Sequence, residues 1–134
     1  MARQGSLSIR LSPSLDNGPA LPPIFHDLKE GEPPLVIGRA VDCAPPDPNP
    51  HKIEFNSKVL SRKHAEIWAE RGKIFIRDTK SSFGTLLNGV RLSEGKEESP
   101  PFELRDGDEV QFSKNAEEHS QDDHKCIMIK LGIL

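Results

Sequence analysis

The sequence contains no long apolar run. No stretch reaches the roughly 18 consecutive apolar residues that a membrane-spanning helix needs. The opening residues, MARQGSLSIR, also lack the apolar stretch of a signal peptide. The formal net charge is only −3, so no general attraction to nucleic acid or anionic lipid is expected. These absences predict a soluble intracellular protein that contacts neither nucleic acid nor membrane.

Cysteine and zinc-type motifs are also scarce. Cys43 and Cys126 lie far apart and form no C-x-x-C motif, so we expect reduced thiols in the cytosol or nucleus. His119 and His124 share a polar segment but have no cysteine at zinc spacing. The sequence therefore predicts no bound metal and no cofactor.

Helix signals are weak, and short strand-like runs take their place. Twelve prolines and ten glycines interrupt a chain of 134 residues, and few apolar residues recur with a helical period. Apolar residues instead alternate between turn residues, which predicts a single all-β domain, a sandwich or a barrel. The strand-like runs are Leu7–Leu15, Leu35–Arg39, His51–Phe55, His64–Glu70, Arg71–Asp78, Gly84–Leu92, Asp106–Phe112 and Lys125–Leu134.

Polar and proline-rich segments separate these runs. Asp42–Pro50 is too rich in proline to be a central strand. Ser93–Pro101 is charged and ends in two prolines, and Ser113–His124 is polar throughout. We predict that all of these segments lie at the surface.

Hydroxyl and basic residues cluster in segments between strands and suggest two kinds of site. Ser61, His64 and Asp78 could form a catalytic triad, but no G-x-S-x-G turn surrounds the serine. The other hypothesis is an anion site, because loops at one end of a sandwich converge. Gly38-Arg39, Ser61-Arg62-Lys63 and Lys80-Ser81-Ser82 would then hold a phosphate through arginine forks and hydroxyls. From these residues alone, ordinary solvated loop residues remain an equal alternative.

The order of several short motifs narrows the choice. IGR, SRKH, Asp78, SSFGT, NG and DGDEVQF follow one another with a spacing that resembles the forkhead-associated (FHA) domain, over about residues 7–134. The resemblance implies one FHA domain spanning 1–134, an all-β sandwich of about eleven strands. It also implies a module that binds phosphothreonine peptides through loops at one end and is not an enzyme.

The resemblance also implies roles for individual residues. The predicted phosphopeptide contacts are Arg39, Ser61, Arg62, Ser82 and Phe83. The residues predicted to support the binding loops are Gly38, His64, Gly84, Thr85 and Asn88, with His64 bracing the Ser61 loop and the glycines and Asn88 permitting positive φ in tight turns. Phe83 departs from the family, which usually has asparagine there to bond the ligand backbone. Either an apolar contact from Phe83 replaces that bond, or the affinity for the peptide is reduced.

Within the family, KVLSRKHAEIW and DTKSSFGT most resemble FHA domains of tail-anchored, coiled-coil proteins of the STRIPAK phosphatase–kinase assembly. Fungal FHA–RING ubiquitin ligases come next. Either resemblance implies a cytoplasmic fragment of a larger protein, held at the endoplasmic reticulum or nuclear envelope if the parent is anchored. The partner would be a phosphothreonine-containing protein, such as a kinase or a STRIPAK component. A monomer is expected, and a phosphate-independent scaffold or dimerisation domain is the alternative.

Overall fold

The computed structural model describes residues 6–15, 21–39, 51–55, 60–81, 84–93, 97–112 and 127–134. These residues form strands and turns, with no helix among them. The strands are β1 (Ser6–Leu15), β2 (Ile24–Lys29), β3 (Leu35–Arg39), β4 (Lys52–Phe55), β5 (Ala65–Glu70), β6 (Lys73–Asp78), β7 (Thr85–Leu87), β8 (Val90–Arg91), β9 (Phe102–Leu104), β10 (Glu109–Phe112) and β11 (Ile127–Ile133). The predicted all-β class with eleven strands is confirmed.

The strands form two sheets. Sheet 1 has the order β2-β1-β11-β10-β7-β8, and sheet 2 has the order β4-β3-β5-β6-β9. Neighbouring strands are antiparallel except β3 and β4, which run parallel. The ends of β3 and β6 and the starts of β5 and β7 lie close together, because His64 is hydrogen-bonded to Ile37, Thr79 and Gly84.

Apolar residues of both sheets pack into one core. In sheet 2, alternation places Ala65, Ile67 and Ala69 of β5 inward. In sheet 1, Val110 and Phe112 of β10 are buried in the same core. The other buried hydrophobic residues include Ile9, Leu11, Leu35, Ile37, Leu60, Ile74, Ile76, Leu104, Ile127, Ile129 and Leu131. The predicted alternation of apolar residues is therefore confirmed for β5 and β10.

Two tight hairpins join neighbouring strands. Arg71 and Gly72 join β5 to β6 with φ of 54° and 75°. Asn88 and Gly89 join β7 to β8 with φ of 50° and 86°. Positive φ at both central residues matches the right-handed twist of the strands.

Two strands were not predicted from the sequence. In β2 the half-buried His26 interrupts the apolar alternation, and Phe25 is 63% exposed. The strand β9 has only three residues. Both lie at sheet edges, where one side of the strand has no neighbour to demand an apolar pattern.

The segment Ser93–Pro101 is not simply a surface segment. Ser99 is only 5% exposed and its N–H donates to Asp78 O at 3.0 Å. The prediction that this segment lies at the surface is wrong for Ser99, because the charged residues around it in the sequence give no sign that a single serine is buried. Residues 42–50 and 113–124, with Cys43, Cys126, His119 and His124, lie outside the described residues. No described segment forms a helix that could cross a membrane.

Candidate functional site

The end of β3 and the segment 60–64 are held together by their main chains. Arg39 N–H donates to Ser61 O at 3.0 Å, and His64 N–H donates to Ile37 O at 2.8 Å. Gly38 lies between these bonds, and a Cβ there would be 1.8 Å from Arg62 O. Such a contact is impossible, so this approach requires glycine. Arg39, Ser61 and Arg62 are consequently brought to one end of sheet 2.

This finding corrects the reason for Gly38. The sequence suggested a turn with positive φ, but Gly38 is not among the positive-φ glycines. It lies in a regular strand, and the missing side chain leaves room for a neighbouring main chain. Gly84 does have positive φ, 91°.

His64 joins the loops through its ring as well as its main chain. Its side chain is fully buried. Ser61 N–H donates to Nδ1 at 3.1 Å, and Nε2 lies 2.8 Å from Gly84 O. His64 O accepts from Thr79 N–H at 3.1 Å. One residue therefore links the Ser61 loop with the segments on both sides of residues 82–83.

These bonds define the state of the imidazole. Nδ1 accepts a hydrogen bond, so it carries no proton, and Nε2 must donate to Gly84 O. Burial lowers the pKa of His64, while the bond to Gly84 and the charge of Asp78 oppose that shift. His64 is therefore a neutral ring with both nitrogens bonded. Its edge-to-face contact with Phe112, at 5.4 Å between centroids, orients the ring further.

Asp78 organises the segment 78–85. Its Oδ1 accepts from Ser81 N–H at 2.8 Å, and its Oδ2 accepts from Thr85 Oγ1 at 2.8 Å and from Ser81 Oγ. Ser81 Oγ in turn accepts from Gly84 N–H at 3.0 Å. Lys80 adopts φ of 69°, an uncommon value for lysine that this bonding maintains. The buried carboxylate thus shapes both sides of residues 82–83.

The catalytic triad is not formed. Both ring nitrogens of His64 are bonded to main-chain atoms, so neither is free to take a proton from Ser61 Oγ. Asp78 is bonded to Ser81 and Thr85 and does not orient the imidazole through a hydrogen bond. The residues that suggested a hydrolase serve the shape of the loops instead. Among the described residues, no group of three or more acidic, histidine or cysteine side chains is placed to bind a metal ion.

The loop end carries positive charge. Arg39 and Ser61 are half-buried, whereas Arg62, Lys63 and Lys80 are exposed. Lys63 Nζ pairs with Glu66 at 3.3 Å. Neither Arg39 nor Arg62 pairs with a carboxylate of the described chain. Both guanidiniums are thus available to an anion, and Arg39 is the more desolvated of the two.

The structure tests only one of three further predicted site residues. Ser82 and Phe83 lie outside the described residues, although Ser81 and Gly84 fix where that segment begins and ends. Asn88 does not support these loops. It lies at the far turn of the β7–β8 hairpin, where Nδ2 donates to Asp108 Oδ1 at 3.1 Å and Oδ1 accepts from Glu109 N–H at 2.9 Å.

Ser99 and Arg91 were missed as parts of this region. Ser99 Oγ accepts from Asp78 N–H at 2.9 Å. The Arg91 guanidinium packs on Gly84, where a Cβ would lie 2.9 Å from Nε, and this buried Nε has no hydrogen-bond partner. A local pattern could not reveal either residue, since both contacts depend on how distant segments pack.

Comparison with known proteins agrees with this fold and loop arrangement. The FHA domain family model matches residues 35–113, more than half of the chain. The chain therefore belongs to the forkhead-associated family, whose members are phosphothreonine-binding modules, and the predicted resemblance is confirmed.

Its relatives include a membrane-associated protein and a ubiquitin ligase. The chain is 46% identical over 99 residues to human sarcolemmal membrane-associated protein, an alignment that covers 71% of this chain and 12% of that protein. It is 31% identical over 148 residues to the E3 ubiquitin-protein ligase DMA1 of Saccharomyces cerevisiae, covering 99% of this chain and 35% of the ligase. The chain thus matches only a minor part of each relative.

Solved structures share the fold at lower identity. Full-length yeast Pml1p matches with a TM-score of 0.64 at 23% identity, covering 96% of this chain and 83% of Pml1p. The kinase-interacting FHA domain of kinase associated protein phosphatase from Arabidopsis gives 0.62 at 20% identity, covering 97% and 98% of the two chains. At such identities the likeness concerns the fold alone.

Proposed function

We propose that this domain binds a phosphothreonine peptide at the loop end of the sandwich and so recruits a phosphorylated partner to a signalling complex. The observation that carries the proposal is the bonding of His64, which joins the Ser61 loop to β3, to Thr79 and to Gly84. Because these hydrogen bonds already order the loop end, little conformational entropy is lost when a ligand binds.

Capture is electrostatic. A phosphothreonine carries about −1.5 to −2 charges at pH 7 and presents three acceptor oxygens. Arg39 is half-buried, so its charge acts in a partly desolvated place, and its planar fork suits phosphate. Arg62 supplies a second, exposed guanidinium. Ser61 and Ser82 would donate hydroxyl hydrogens to the remaining oxygens.

The test is calorimetric titration with one threonine peptide before and after phosphatase treatment. Arg39→Ala is expected to lower phosphopeptide affinity by roughly 2–5 kcal/mol, the usual result of removing one member of a partly buried charge pair. Arg105→Ala is the matched control, because Arg105 is an exposed arginine in the β9–β10 turn. Equal loss in both variants, or binding that survives phosphatase treatment, contradicts the proposal. The second result would favour a phosphate-independent scaffold.

Phosphothreonine should bind more tightly than phosphoserine. The family resemblance implies a small pocket for the threonine methyl group, and burying one methyl contributes about 0.8 kcal/mol. That corresponds to roughly fourfold in affinity, with a further gain from restraint of the phosphate rotamer. Equal affinity for matched phosphoserine and phosphothreonine peptides would exclude such a pocket.

The partner and parent complex belong to the same proposal. The resemblance of KVLSRKHAEIW and DTKSSFGT to FHA domains of STRIPAK proteins supports recruitment of a phosphorylated kinase or STRIPAK component. The match of DMA1 along 99% of this chain supports an FHA–RING ligase as the alternative parent. Affinity capture from phosphatase-inhibited lysate, with Arg39→Ala as the control, distinguishes them. Arg39-dependent recovery of STRIPAK subunits supports the first, and their absence from the captured proteins opposes it.

A further inference from the structure

A pocket of about 500 Å³ lies on the outer face of sheet 2. Trp68 of β5 and Arg77 of β6 line it. Glu30 and Glu32, from the β2–β3 connection, line it as well. None of the residues that line the pocket is among the predicted phosphopeptide contacts.

The alternation of β5 creates this surface. Ala65, Ile67 and Ala69 point into the core, so Glu66, Trp68 and Glu70 point outward. Trp68 is half-buried and stacks on Phe75 with 6.0 Å between centroids and 26° between planes. Phe75 therefore holds the indole in a fixed orientation in the lining of the pocket.

One guanidinium of the protein itself, that of Arg77, already lies in the lining of the pocket. Arg77 lies over Trp68 with Cζ 5.7 Å from the ring centroid, a cation–π arrangement. The same group binds Glu66, with Nη2 2.7 Å and Nε 2.8 Å from Oε1. An aromatic face beside a carboxylate thus holds one arginine within this protein.

Negative charge remains after Arg77 is paired. The lining has four glutamates against one arginine, and Lys63 beside it also pairs with Glu66, so an excess of two negative charges remains. Glu70 Oε1 accepts from Trp68 Nε1 at 3.2 Å, and Glu30 accepts from the N–H groups of Arg71 and Gly72 at 2.9 and 3.1 Å. The donors in these bonds are neutral N–H groups, so they position the two carboxylates without forming an ion pair. Glu32 is exposed and forms no ion pair with the described residues.

We propose that this pocket, the Trp68 pocket, docks an arginine side chain from an unphosphorylated basic segment of a partner protein. A guanidinium suits it better than an ammonium, because its rigid fork of N–H groups can bond more than one of the lining carboxylates beside the indole. The excess of negative charge repels nucleic acid and attracts a basic peptide. Trp68 lies about 10 Å along β5 from Ala65, so this docking is separate from phosphate capture.

The intrinsic fluorescence of the protein reports on this pocket directly. Trp68 is the only tryptophan, and the sequence has no tyrosine. The probe is the unphosphorylated peptide Gly-Arg-Gly-Arg-Gly-Arg-Gly, with a matched peptide in which neutral citrulline replaces each arginine. We expect a saturable change in Trp68 emission with the arginine peptide, weakened by added salt, and none with the citrulline peptide.

Variants identify the groups responsible. The double variant Glu32→Gln and Glu70→Gln should weaken arginine-peptide binding roughly fivefold, since two exposed charge pairs are lost. Glu109→Gln is the control, an exposed glutamate on sheet 1. Calorimetry measures each affinity independently of emission, and urea unfolding checks that each variant folds. Arg39→Ala should leave this binding unchanged, which separates it from the phosphopeptide site.

Several outcomes would overturn the proposal. An arginine peptide that causes no saturable change, or a citrulline peptide that binds equally well, removes the role of the guanidinium. Loss of the response in Arg39→Ala assigns the signal to the loop end. Emission that depends on protein concentration without peptide assigns the Trp68 pocket to a second copy of the chain.

Discussion

Replacing His64 with alanine is expected to reduce stability and phosphopeptide binding together. The imidazole is fully buried and bonds Ser61 N–H and Gly84 O, which belong to different loops. Alanine keeps the main-chain bonds to Ile37 and Thr79 but removes both ring bonds. The loops would then lose the link between them while β3 and β5 stay paired.

The magnitude follows from the groups left without partners. A buried polar group that loses its hydrogen bond costs about 1–3 kcal/mol. Gly84 O is buried and falls in the upper part of that range, whereas the bond from Ser61 N–H is only partly buried and falls in the lower part. Loss of the edge contact with Phe112 adds about 0.5–1.5 kcal/mol. We therefore expect a loss of about 3–5 kcal/mol, a large part of the roughly 5–15 kcal/mol of an ordinary domain.

Urea unfolding, monitored through the fluorescence emission of Trp68, measures the stability. Calorimetry measures the phosphopeptide affinity. Hydrogen exchange of residues 60–65 measures the order of the loop. His26→Ala is the control, since its buried Nε2 has no hydrogen-bond partner to lose. If affinity falls while exchange of residues 60–65 stays as in the wild type, His64 does not act by bracing the loop. A stability loss below about 1 kcal/mol would refute the hydrogen-bond reasoning itself.

Three further predictions concern the same loops and their surroundings. Gly38→Ala should lower the free energy of unfolding by about 1–3 kcal/mol and weaken phosphopeptide binding, because the added Cβ would meet rigid main chain. Gly132→Ala is the control, since the atoms nearest to its Cβ belong to a flexible arginine side chain. Equal effects of the two variants, measured by urea unfolding and calorimetry, would refute the crowding argument. Burial lowers the folded-state pKa of His64 and of His26, so the unfolded chain binds more protons and stability should fall as pH drops below about 6.5, by at most about 1.4 kcal/mol per pH unit for each histidine. Urea midpoints between pH 8 and about 5 measure this, and a flat profile would contradict it. Phe83→Asn should weaken binding of a peptide with leucine after the phosphothreonine more than one with alanine there; equal titration changes would show that Phe83 does not contact that position.

The sequence by itself determined most of the strands and the tight turns. Alternation is a local property, so Ala65, Ile67 and Ala69 could be assigned to the core before the structure was known. The hairpin at Asn88-Gly89 follows from the rare residues that accept positive φ at both central positions. Local patterns did not predict β2 and β9. Only the family resemblance predicted a total of about eleven strands.

Only the tertiary structure decided how the loops are joined. His64 bonds one group three residues away and another twenty residues away, and no periodicity encodes the second contact. Gly38 looked like a turn glycine, yet it makes room for Arg62 O, a contact that exists only once β3 meets the Ser61 loop. The Trp68 pocket likewise combines β5, β6 and the β2–β3 connection. Local rules fix φ and the facing of side chains, whereas contacts between distant segments arise from packing of the whole sandwich.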